Sequence, residues 1–375
     1  MNEDQMRVAS KDATGPLLFF DRPEQPALNY LGKALTRLRS TIILRQGNLI
    51  DFLFRRSIPA DYSTYLLPPV PFGREWSDRW HRRTLSKLAR PAGVIFTSPD
   101  QAFLLDSFPK ARKIYYAIDN FCAWSWGSNL VDQWESKIAS GVDHVVMVSR
   151  GLAKVFREKH RCPEDKVTVS PNAAPGRFTP IAPPEGPSNL PAPFSRVGRP
   201  VAGIVGRISS RIRLDWLRAA VEGAPWLNWI FVGEVEMREV QMKDMPNLLW
   251  LRNHPRCHFT GRLPYEHLFE WASAMDVGIL PYSDRSVNPL GSAMRLFVHL
   301  PFGHPILATP GCLQVEEYEP LVSFCRSPEA LLDSLERLRE NSFDDGLRQG
   351  RWLAAKKHTW ENRALDLLRC LEEAR

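Results

Sequence analysis

Short apolar runs alternate with amphipathic segments along most of the 375-residue chain, and this alternation restricts the fold more than any other feature. The runs GPLLFFD (15–21) and STIILR (40–45) flank residues 26–39, where apolar side chains recur about every 3.6 residues, as in a helix. Strand–helix–strand order predicts parallel strands covered by helices. A second series of this kind starts near residue 200, so the sequence predicts an α/β protein with two doubly wound domains.

The predicted elements of the two series can be given by residue number. The first series has predicted strands at 15–21, 40–45, 92–98, 113–119, 143–149 and 166–173, and predicted helices at 26–39, 99–108, 128–140 and 150–160. The second has predicted strands at 200–206, 228–234, 258–263, 276–282, 305–309 and 322–327, and predicted helices at 213–224, 264–275, 327–340 and 360–374. Another helix is predicted between residues 288 and 303.

A proline-rich stretch separates the two series. Residues 179–200 contain seven prolines, which can continue neither a helix nor the centre of a sheet. We therefore predict a first domain at 1–178, a linker at 179–199, a second domain at 200–345 and a C-terminal helical segment at 346–375. The carboxyl ends of the two predicted sheets are expected to border a cleft, which is where ligands bind in open α/β sheets.

Several sequence motifs are absent, and each absence argues against a class of enzyme. The chain has no GxGxxG, GxxxxGK[ST], HExxH or GxSxG, which argues against a dinucleotide oxidoreductase, a P-loop ATPase, a zincin and an α/β-hydrolase. It has no DxD motif and no zinc-type spacing among its six cysteines, so no metal or other cofactor is expected. The net charge of +7 suits an anionic small ligand, an acidic lipid surface or nucleic acid.

The stretch NPLGSAMRLFVHLPFGHPILAT (288–309) predicts a helix that begins after a turn and ends at a glycine. Backbone amides of Ser292, Ala293 and Met294 would then face outward at the helix start, which favours an anion. Arg295 adds a full positive charge beside them. This segment therefore predicts a diphosphate site, and the alternative is that Arg295 lies on the solvent face of a packed helix.

Two predicted strands end in residues that could act in the cleft. Gly206 ends the predicted strand at 200–206 and Arg207 follows it. The glycine would let the backbone approach a ligand and the arginine would bind a phosphate, unless the pair only forms a tight turn with a solvated arginine. Asp119 ends the strand YYAID, where partial burial would suit a general base, unless it caps the next turn. For Glu135, on the following helix, we favour an ordinary exposed role over a second acid in the cleft.

The segment 74–90 is basic and carries tryptophans. It has six lysines and arginines against two acids, with Trp76 and Trp80 among them. Such a helix can lie on an anionic membrane surface, although a solvated basic face or nucleic-acid binding fits the same residues. No nucleic-acid motif is present, so no nucleic acid is expected as a partner. With a polar N-terminus and no apolar run long enough to span a bilayer, we expect a cytoplasmic protein, peripheral on the inner face of the plasma membrane.

Three segments resemble the GT-B glycosyltransferases of the family 4-like kind. These are DHVVMVS…VTVSPNAAPGRF, FTGRLPYEHLFEWASAMDVGILPY and SAMRLFVHLPFGHPILAT; HTWENRA also resembles the start of the last helix of those enzymes. The resemblance implies two Rossmann-like domains that face each other across a cleft. It implies an acceptor domain at 1–178, a nucleotide-sugar domain at 200–345, and a C-terminal helix that crosses back to the first domain.

Within this fold the chain is most similar to the xanthan glucuronosyltransferase (family 70) type, which is inverting, metal-independent and membrane-associated. The resemblance places the catalytic base at Asp119 and the leaving diphosphate at Arg295. The remaining donor-binding positions that it implies are Arg262, Leu263, Tyr282, Ser292 and Met294, to which the strand end described above adds Gly206 and Arg207. The family usually has Glu or Gln three residues after the cation, where this chain has Val298. Either another residue, His299 or Glu317, is then expected to bind the ribose, or the backbone holds it.

The resemblance thus implies a transferase that moves a sugar, glucuronic acid among the candidates, from a UDP-sugar to a hydroxyl group. A glycan or lipid-linked saccharide in surface polysaccharide synthesis is the expected acceptor. Two alternatives stay open. One is a retaining family 4-like transferase, and the other is a GT-B protein that binds a nucleotide-sugar or glycan without catalysis.

Overall fold

Two parallel sheets, with helices connecting their strands, make up the described part of the chain. The computed structural model describes residues 15–22, 25–46, 64–67, 83, 85, 88, 90–123, 127–285 and 287–373. The chain divides into two compact units, one formed by Met1–Ala173 with Trp360–Arg375 and the other by Ala174–Thr359. The predicted α/β class with two parallel sheets is confirmed.

The first unit contains a seven-stranded sheet in the order β3-β2-β1-β4-β5-β6-β7. Its strands are β1 (Leu17–Asp21), β2 (Thr41–Gln46), β3 (Thr64–Leu67), β4 (Gly93–Phe96), β5 (Arg112–Ala117), β6 (His144–Met147) and β7 (Val167–Val169). Its first three described helices are α1 (Pro26–Leu38), α2 (Ser128–Gly141) and α3 (Arg150–His160), with 3₁₀ helices at Pro99–Ser107 and Phe121–Ala123.

The second unit contains a six-stranded sheet in the order β10-β9-β8-β11-β12-β13. Its strands are β8 (Val201–Val205), β9 (Asn228–Val232), β10 (Cys257–Phe259), β11 (Val277–Leu280), β12 (Ile306–Ala308) and β13 (Ser323–Phe324). Its helices are α4 (Leu214–Gly223), α5 (Met245–Asn253), α6 (His267–Ser273), α7 (Met294–His299), α8 (Leu313–Glu316), α9 (Pro328–Glu340) and α10 (Arg348–Lys357), with 3₁₀ helices at Gly176–Phe178, Met237–Glu239 and Leu300–Phe302.

Side chains of strand β8 show why this sheet is covered on both faces. Val201 and Val205 belong to one apolar core, whereas Ala202 and Ile204 belong to the other. Alternate residues of a strand point to opposite faces, so an all-apolar strand is stable only between two layers of helices. The strand is fully buried along its length, as the continuous run PVAGIVG predicts.

The last helix, α11 (Trp360–Glu373), belongs to the first unit although it follows the second in sequence. It packs on α1, and Leu371 lies so close to Gly93 that a Cβ there would be 3.0 Å from the leucine Cδ2. The Arg112 side chain donates hydrogen bonds to the carbonyls of Leu371 and Glu372. Within the predicted segment 346–375, α11 therefore joins the first unit, while α10 stays with the second.

The proline-rich stretch is packed onto the second unit, whereas the sequence predicts a linker. Leu190 is 7% exposed within an apolar core of that unit. The side chains of Arg348 and Trp352 donate to the carbonyls of Pro184 and Pro180, both at 2.8 Å. Proline carbonyls accept hydrogen bonds although proline donates none, so such a stretch can be fixed by donors from a neighbouring helix.

Strand β3 and helices α5 and α8 have no counterpart among the predicted strands and helices, and α10 is predicted only as part of the C-terminal helical segment 346–375. The basic segment 74–90 lies outside the described residues except for Arg83, Leu85, Leu88 and Arg90, so its membrane contact stays a prediction. Among the described helices, none has the length and apolar character that crossing a bilayer requires. All six cysteines are present as thiols.

Candidate functional site

The strand order of the second sheet places a switch point between β8 and β11, where the chain continues to opposite sides of the sheet. In open α/β sheets, ligands bind beyond the carboxyl ends of the strands at such a point. Gly206 directly follows β8, and Tyr282 follows β11 by two residues. Two of the predicted donor-binding residues therefore lie at this edge.

Arg295 is fixed at the same edge by backbone carbonyls. Its Nε donates to the Val205 carbonyl at 2.7 Å, and its Nη2 donates to the Arg207 carbonyl. The guanidinium carbon lies 5.3 Å from the centre of the Tyr282 ring, within cation–π range. These backbone bonds use two of the five N–H donors, so the cation is oriented while further donors remain on the same group.

Two glycines make room for this arrangement. Gly206 has φ +102°, and a Cβ there would lie 3.4 Å from Nε of Arg295. Gly233, at the end of β9, has φ +137°, and its Cβ would lie 2.5 Å from the Gly206 carbonyl oxygen. A side chain at Gly233 would collide with the backbone on which Arg295 rests, so the carboxyl ends of β8 and β9 approach closely only because both residues are glycines.

Replacing Gly233 with alanine is expected to destabilise the second unit by about 1–3 kcal/mol, through backbone strain and displacement of Gly206. The matched control is Gly186→Ala, because nothing lies within 4 Å of a Cβ at that exposed glycine. Urea unfolding of both variants measures the difference. Equal midpoints for the two alanine variants would contradict this account of Gly233.

Residues 288–309 do not form the anion-binding helix start that the sequence predicts. Helix α7 is only six residues long. The Ala293 amide donates to Oε1 of Gln314 at 2.9 Å, and the Met294 amide donates to the Ser292 carbonyl at 2.9 Å. The prediction that these amides face a ligand is therefore wrong for Ala293 and Met294, because both are used to close the preceding turn.

Gln314 is a residue that the sequence analysis missed. It is 1% exposed, and its Oε1 accepts both from the Ala293 amide and from Oγ of Ser292, the latter at 2.6 Å. The hydroxyl of Ser292 thus fixes the turn before α7 through α8. The sequence gives no signal for this contact, because Ser292 and Gln314 lie more than twenty positions apart.

The other predicted donor-binding residues differ in exposure. The Arg207 side chain is 55% exposed and donates to Oε1 of Glu239 at 2.8 Å, so its carbonyl rather than its charge supports the site. The Arg262 side chain is 84% exposed, and its Nε lies 4.0 Å from Oε2 of Glu234. Leu263 packs against the apolar core. A role for Arg262 and Leu263 in binding the uracil of a nucleotide stays a prediction.

At the position where GT-B enzymes of the resembled type bind the ribose or sugar, this chain has an apolar side chain. Val298 is 2% exposed within the core. His299 is fully buried, and its Nδ1 lies 2.9 Å from Nε2 of His304. The prediction that His299 takes over the ribose is therefore wrong, because its ring is part of the core. Glu317 is exposed at the end of α8, and its role stays a prediction.

The buried histidine pair gives a pH-dependent prediction. Burial, with a smaller effect of Arg295, lowers the pKa of His299 from 6.5 to about 3. The unfolded chain therefore binds a proton that the folded chain does not between these values, and stability falls as the pH falls through that window. From pH 7 to pH 5 this histidine is expected to contribute a loss of about 2 kcal/mol.

Chemical denaturation at both pH values checks this expectation. A His299→Gln variant should lose less stability than the wild type between pH 7 and pH 5, because glutamine does not titrate. His267→Gln is the control, since that side chain is 57% exposed. An unchanged pH dependence in His299→Gln would show that this ring is not buried as a neutral group.

Asp119, the predicted base, lies just beyond β5 at the carboxyl edge of the first sheet, and it is partly exposed. Its Oδ1 accepts from the Asn120 amide at 2.8 Å, and its carbonyl accepts from the Phe121 amide. Asp119 therefore does cap the turn after β5, which was the alternative to a catalytic role. It also fixes the direction of the carboxylate, which a positioned base needs.

Glu135 is buried, whereas we predict an exposed side chain. It is 8% exposed and its Oε1 accepts from the Tyr115 hydroxyl at 3.2 Å. The expectation of an ordinary exposed role is wrong because α2 turns this face toward β5 and α3.

Opposite charges also pair at the carboxyl edge of the first sheet. Asp21 ends β1 and pairs in register with Arg45 of β2, whose Nε donates to Oδ2 of the aspartate at 2.8 Å. Arg22 pairs with Asp100 at 2.6 Å. The sequence analysis missed these pairs. For Asp21 and Arg45 the sequence does contain a signal, because the two adjacent predicted strands, 15–21 and 40–45, end in side chains of opposite charge.

No protein-family profile matches the sequence, and no curated protein matches it in a sequence search. Solved structures do match over nearly the whole chain. HepE of Anabaena, solved with UDP-glucose, has a TM-score of 0.72 and 12% identity over 95% of this chain and 98% of its own. A glycosyltransferase of Rickettsia africae has a TM-score of 0.72 and 14% identity, covering 96% of this chain and 98% of that one.

Sucrose-phosphate synthase of Thermosynechococcus elongatus is similar to the same extent. Its TM-score is 0.70 at 15% identity, over 94% of this chain and 97% of its own. The chain has the GT-B fold. In this fold the predicted base belongs to the first unit, and every predicted donor-binding residue belongs to the second.

Proposed function

We propose that this protein is a glycosyltransferase that moves a sugar from a nucleotide-sugar, a UDP-sugar, to an acceptor hydroxyl. The observation that carries the proposal is Arg295, a cation that two backbone carbonyls fix at the switch point of the second sheet. HepE, with the same fold over 95% of this chain, was solved with UDP-glucose. An oriented guanidinium suits a diphosphate because it donates several charge-assisted hydrogen bonds.

In the proposed reaction, Arg295 neutralises the charge that develops on the departing UDP, so the donor site requires no metal ion. The carboxylate of Asp119 removes the proton of the acceptor hydroxyl, which attacks the anomeric carbon. Attack from the face opposite the leaving group inverts the configuration. In this proposal Gly206 and Tyr282 border the diphosphate, and Arg262 and Leu263 lie beside the uracil of the donor.

The finer assignment rests on the resemblance to the xanthan glucuronosyltransferase type. We propose a hexosyl or glucuronosyl donor and a glycan or lipid-linked saccharide acceptor in surface polysaccharide synthesis. That acceptor would be met at the inner face of the plasma membrane. The basic segment 74–90 is proposed to contact anionic lipid there.

Calorimetric titration with UDP, GDP, ADP and their common sugar conjugates, with and without Mg²⁺, tests the donor assignment. We expect a UDP species to bind in both conditions, and the tightest sugar conjugate to identify the donor. Binding of GDP or ADP alone would exclude a UDP-sugar. Binding that requires Mg²⁺ would exclude a metal-independent donor site.

A second candidate is a GT-B protein that binds a nucleotide-sugar without transferring the sugar. Val298 favours it, because a buried valine cannot accept a hydrogen bond from a ribose or sugar hydroxyl. Incubation of the protein with the donor identified by calorimetry, followed by assay of released UDP with a panel of glycan acceptors, separates the two. Binding without release in every case would favour the non-catalytic function.

A further inference from the structure

Three side chains with metal-binding atoms meet in the first unit, and a fourth, that of His160, lies beside one of them, whereas every residue assigned above to the donor belongs to the second unit. Cys122 lies in the 3₁₀ helix after β5, and Asp132 and Glu135 lie three residues apart on α2. His160 is the last residue of α3. The thiol and the two carboxylates each offer one atom, and these atoms lie within 4.8 Å of one another.

Three separations within this group are close to those of ligands around a small ion. Sγ of Cys122 lies 3.4 Å from Oδ1 of Asp132 and 3.9 Å from Oε2 of Glu135. Nε2 of His160 lies 3.6 Å from the same Oε2. Ligands of a tetrahedral Zn²⁺, at ~2.3 Å for sulfur and ~2.0–2.1 Å for oxygen or nitrogen, are separated by about 3.3–3.6 Å.

Neighbouring groups orient both carboxylates. The Tyr115 hydroxyl donates to Oε1 of Glu135 at 3.2 Å, which leaves Oε2 to face the thiol and the imidazole. The Lys159 ammonium donates a hydrogen bond to Oδ1 of Asp132, which is also the oxygen that faces Sγ of Cys122. Hydrogen bonds of this kind from outer groups hold metal ligands in position in metalloproteins.

His160 supplies the independent observation that points to a ligand. Its side chain is only 5% exposed, and the ring packs against Phe156 with centroids 4.7 Å apart. Within the residues that the structure describes, Nε2 has no hydrogen-bond partner. A buried ring nitrogen that lies beside a carboxylate of this group, without a hydrogen bond, is placed to act as a further metal ligand.

We propose that Cys122, Asp132, Glu135 and His160 form a Zn²⁺ site. Binding transfers the thiol proton to solvent as the Zn–S bond forms, since only the thiolate is a ligand. With the thiolate formed, the three anions exceed the Lys159 ammonium by two charges, which a divalent cation neutralises. A set with sulfur, imidazole and carboxylate selects Zn²⁺ over Mg²⁺ or Ca²⁺, which prefer oxygen alone.

The ion would fix the segment after β5 onto α2 and α3. Cys122 is three residues beyond Asp119, so the metal would hold the chain that carries the proposed base. All four ligands belong to the first unit, and the proposal therefore stands whether or not the protein transfers a sugar.

The experiment uses the full chain, purified, stripped with a chelator and titrated with Zn²⁺ by calorimetry. We expect one Zn²⁺ per chain, with proton release, and an increase in the melting temperature. Titration with Co²⁺ should give a thiolate-to-cobalt absorption band in the near ultraviolet. This band tests the wild-type protein directly, so the result does not depend on whether a variant folds.

The variants Cys122→Ser and His160→Gln should each weaken Zn²⁺ binding more than about a hundredfold, because even losing an outer hydrogen-bond partner of a ligand costs about 10–100-fold. The matched controls Cys370→Ser and His144→Gln change the same residue types elsewhere in the first unit and should bind as the wild type does. Absence of the cobalt–thiolate band, or equal Zn²⁺ affinity in Cys122→Ser and Cys370→Ser, would overturn the site.

Discussion

Replacing Asp119 with asparagine is expected to lower sugar transfer by about two to four orders of magnitude, because the acceptor hydroxyl loses its general base. UDP binding should be nearly unchanged, since every proposed donor-binding residue belongs to the second unit. The amide oxygen of asparagine can still accept the hydrogen bond from the Asn120 amide, so the turn should keep its shape. Turnover with the donor identified by calorimetry, together with UDP affinity, measures both parts.

The control for this variant is Asp106→Asn, whose carboxylate is 71% exposed and pairs only loosely with Lys137 in the first unit. It should keep wild-type turnover. A retaining transferase needs no protein base, so wild-type turnover in Asp119→Asn together with retained configuration of the product would favour that mechanism. Equal loss of UDP binding and turnover would instead mean that the substitution disturbs the fold.

Replacing Arg295 with alanine is expected to weaken UDP binding by roughly ten- to a hundredfold. Hydrogen bonds to charged groups contribute about 1.5–3 kcal/mol each, and about 1.4 kcal/mol corresponds to a factor of ten in Kd. Arg295→Lys should recover only part of the affinity, because an ammonium cannot donate to the carbonyls of Val205 and Arg207 while also contacting a diphosphate in a fixed orientation. Calorimetry with UDP measures all three proteins.

Arg252→Ala is the control for charge alone, since that arginine is exposed on α5. It should bind UDP as the wild type does. If Arg295→Ala also bound UDP with wild-type affinity, the diphosphate would not lie at this edge of the sheet, and the proposed donor site would be wrong. If both alanine variants lost the same affinity, the effect would be one of net charge.

Most of the fold could be predicted because its signals are local. A fully buried parallel strand must be continuously apolar, and PVAGIVG and DVGILPY contain the strands β8 and β11 that the structure shows. Helix α2 and helix α9 begin within one residue of their predicted starts. Strand β3 (Thr64–Leu67) lies in a stretch where no strand is predicted from the sequence, and it pairs with β2 in the sheet.

The candidate site could be predicted only where strand ends determine it. Gly206 and Tyr282 follow from the ends of β8 and β11, because the switch point follows from strand order. The environment of Ser292 could not be predicted, because Gln314 contacts it from α8, which is distant in sequence. The contact between buried His299 and His304 could not be predicted either, because helical periodicity does not reveal it.

The second unit is one continuous stretch of chain, whereas the first is built from two stretches that lie before and after it. Synthesis proceeds from the N-terminus, so Ala174–Thr359 leaves the ribosome before α11 does. During that interval the apolar face of α1 still lacks α11, the helix that covers it in the folded protein. The second unit can therefore fold first, and the nascent first unit is the part of the chain most exposed to aggregation until its last helix arrives.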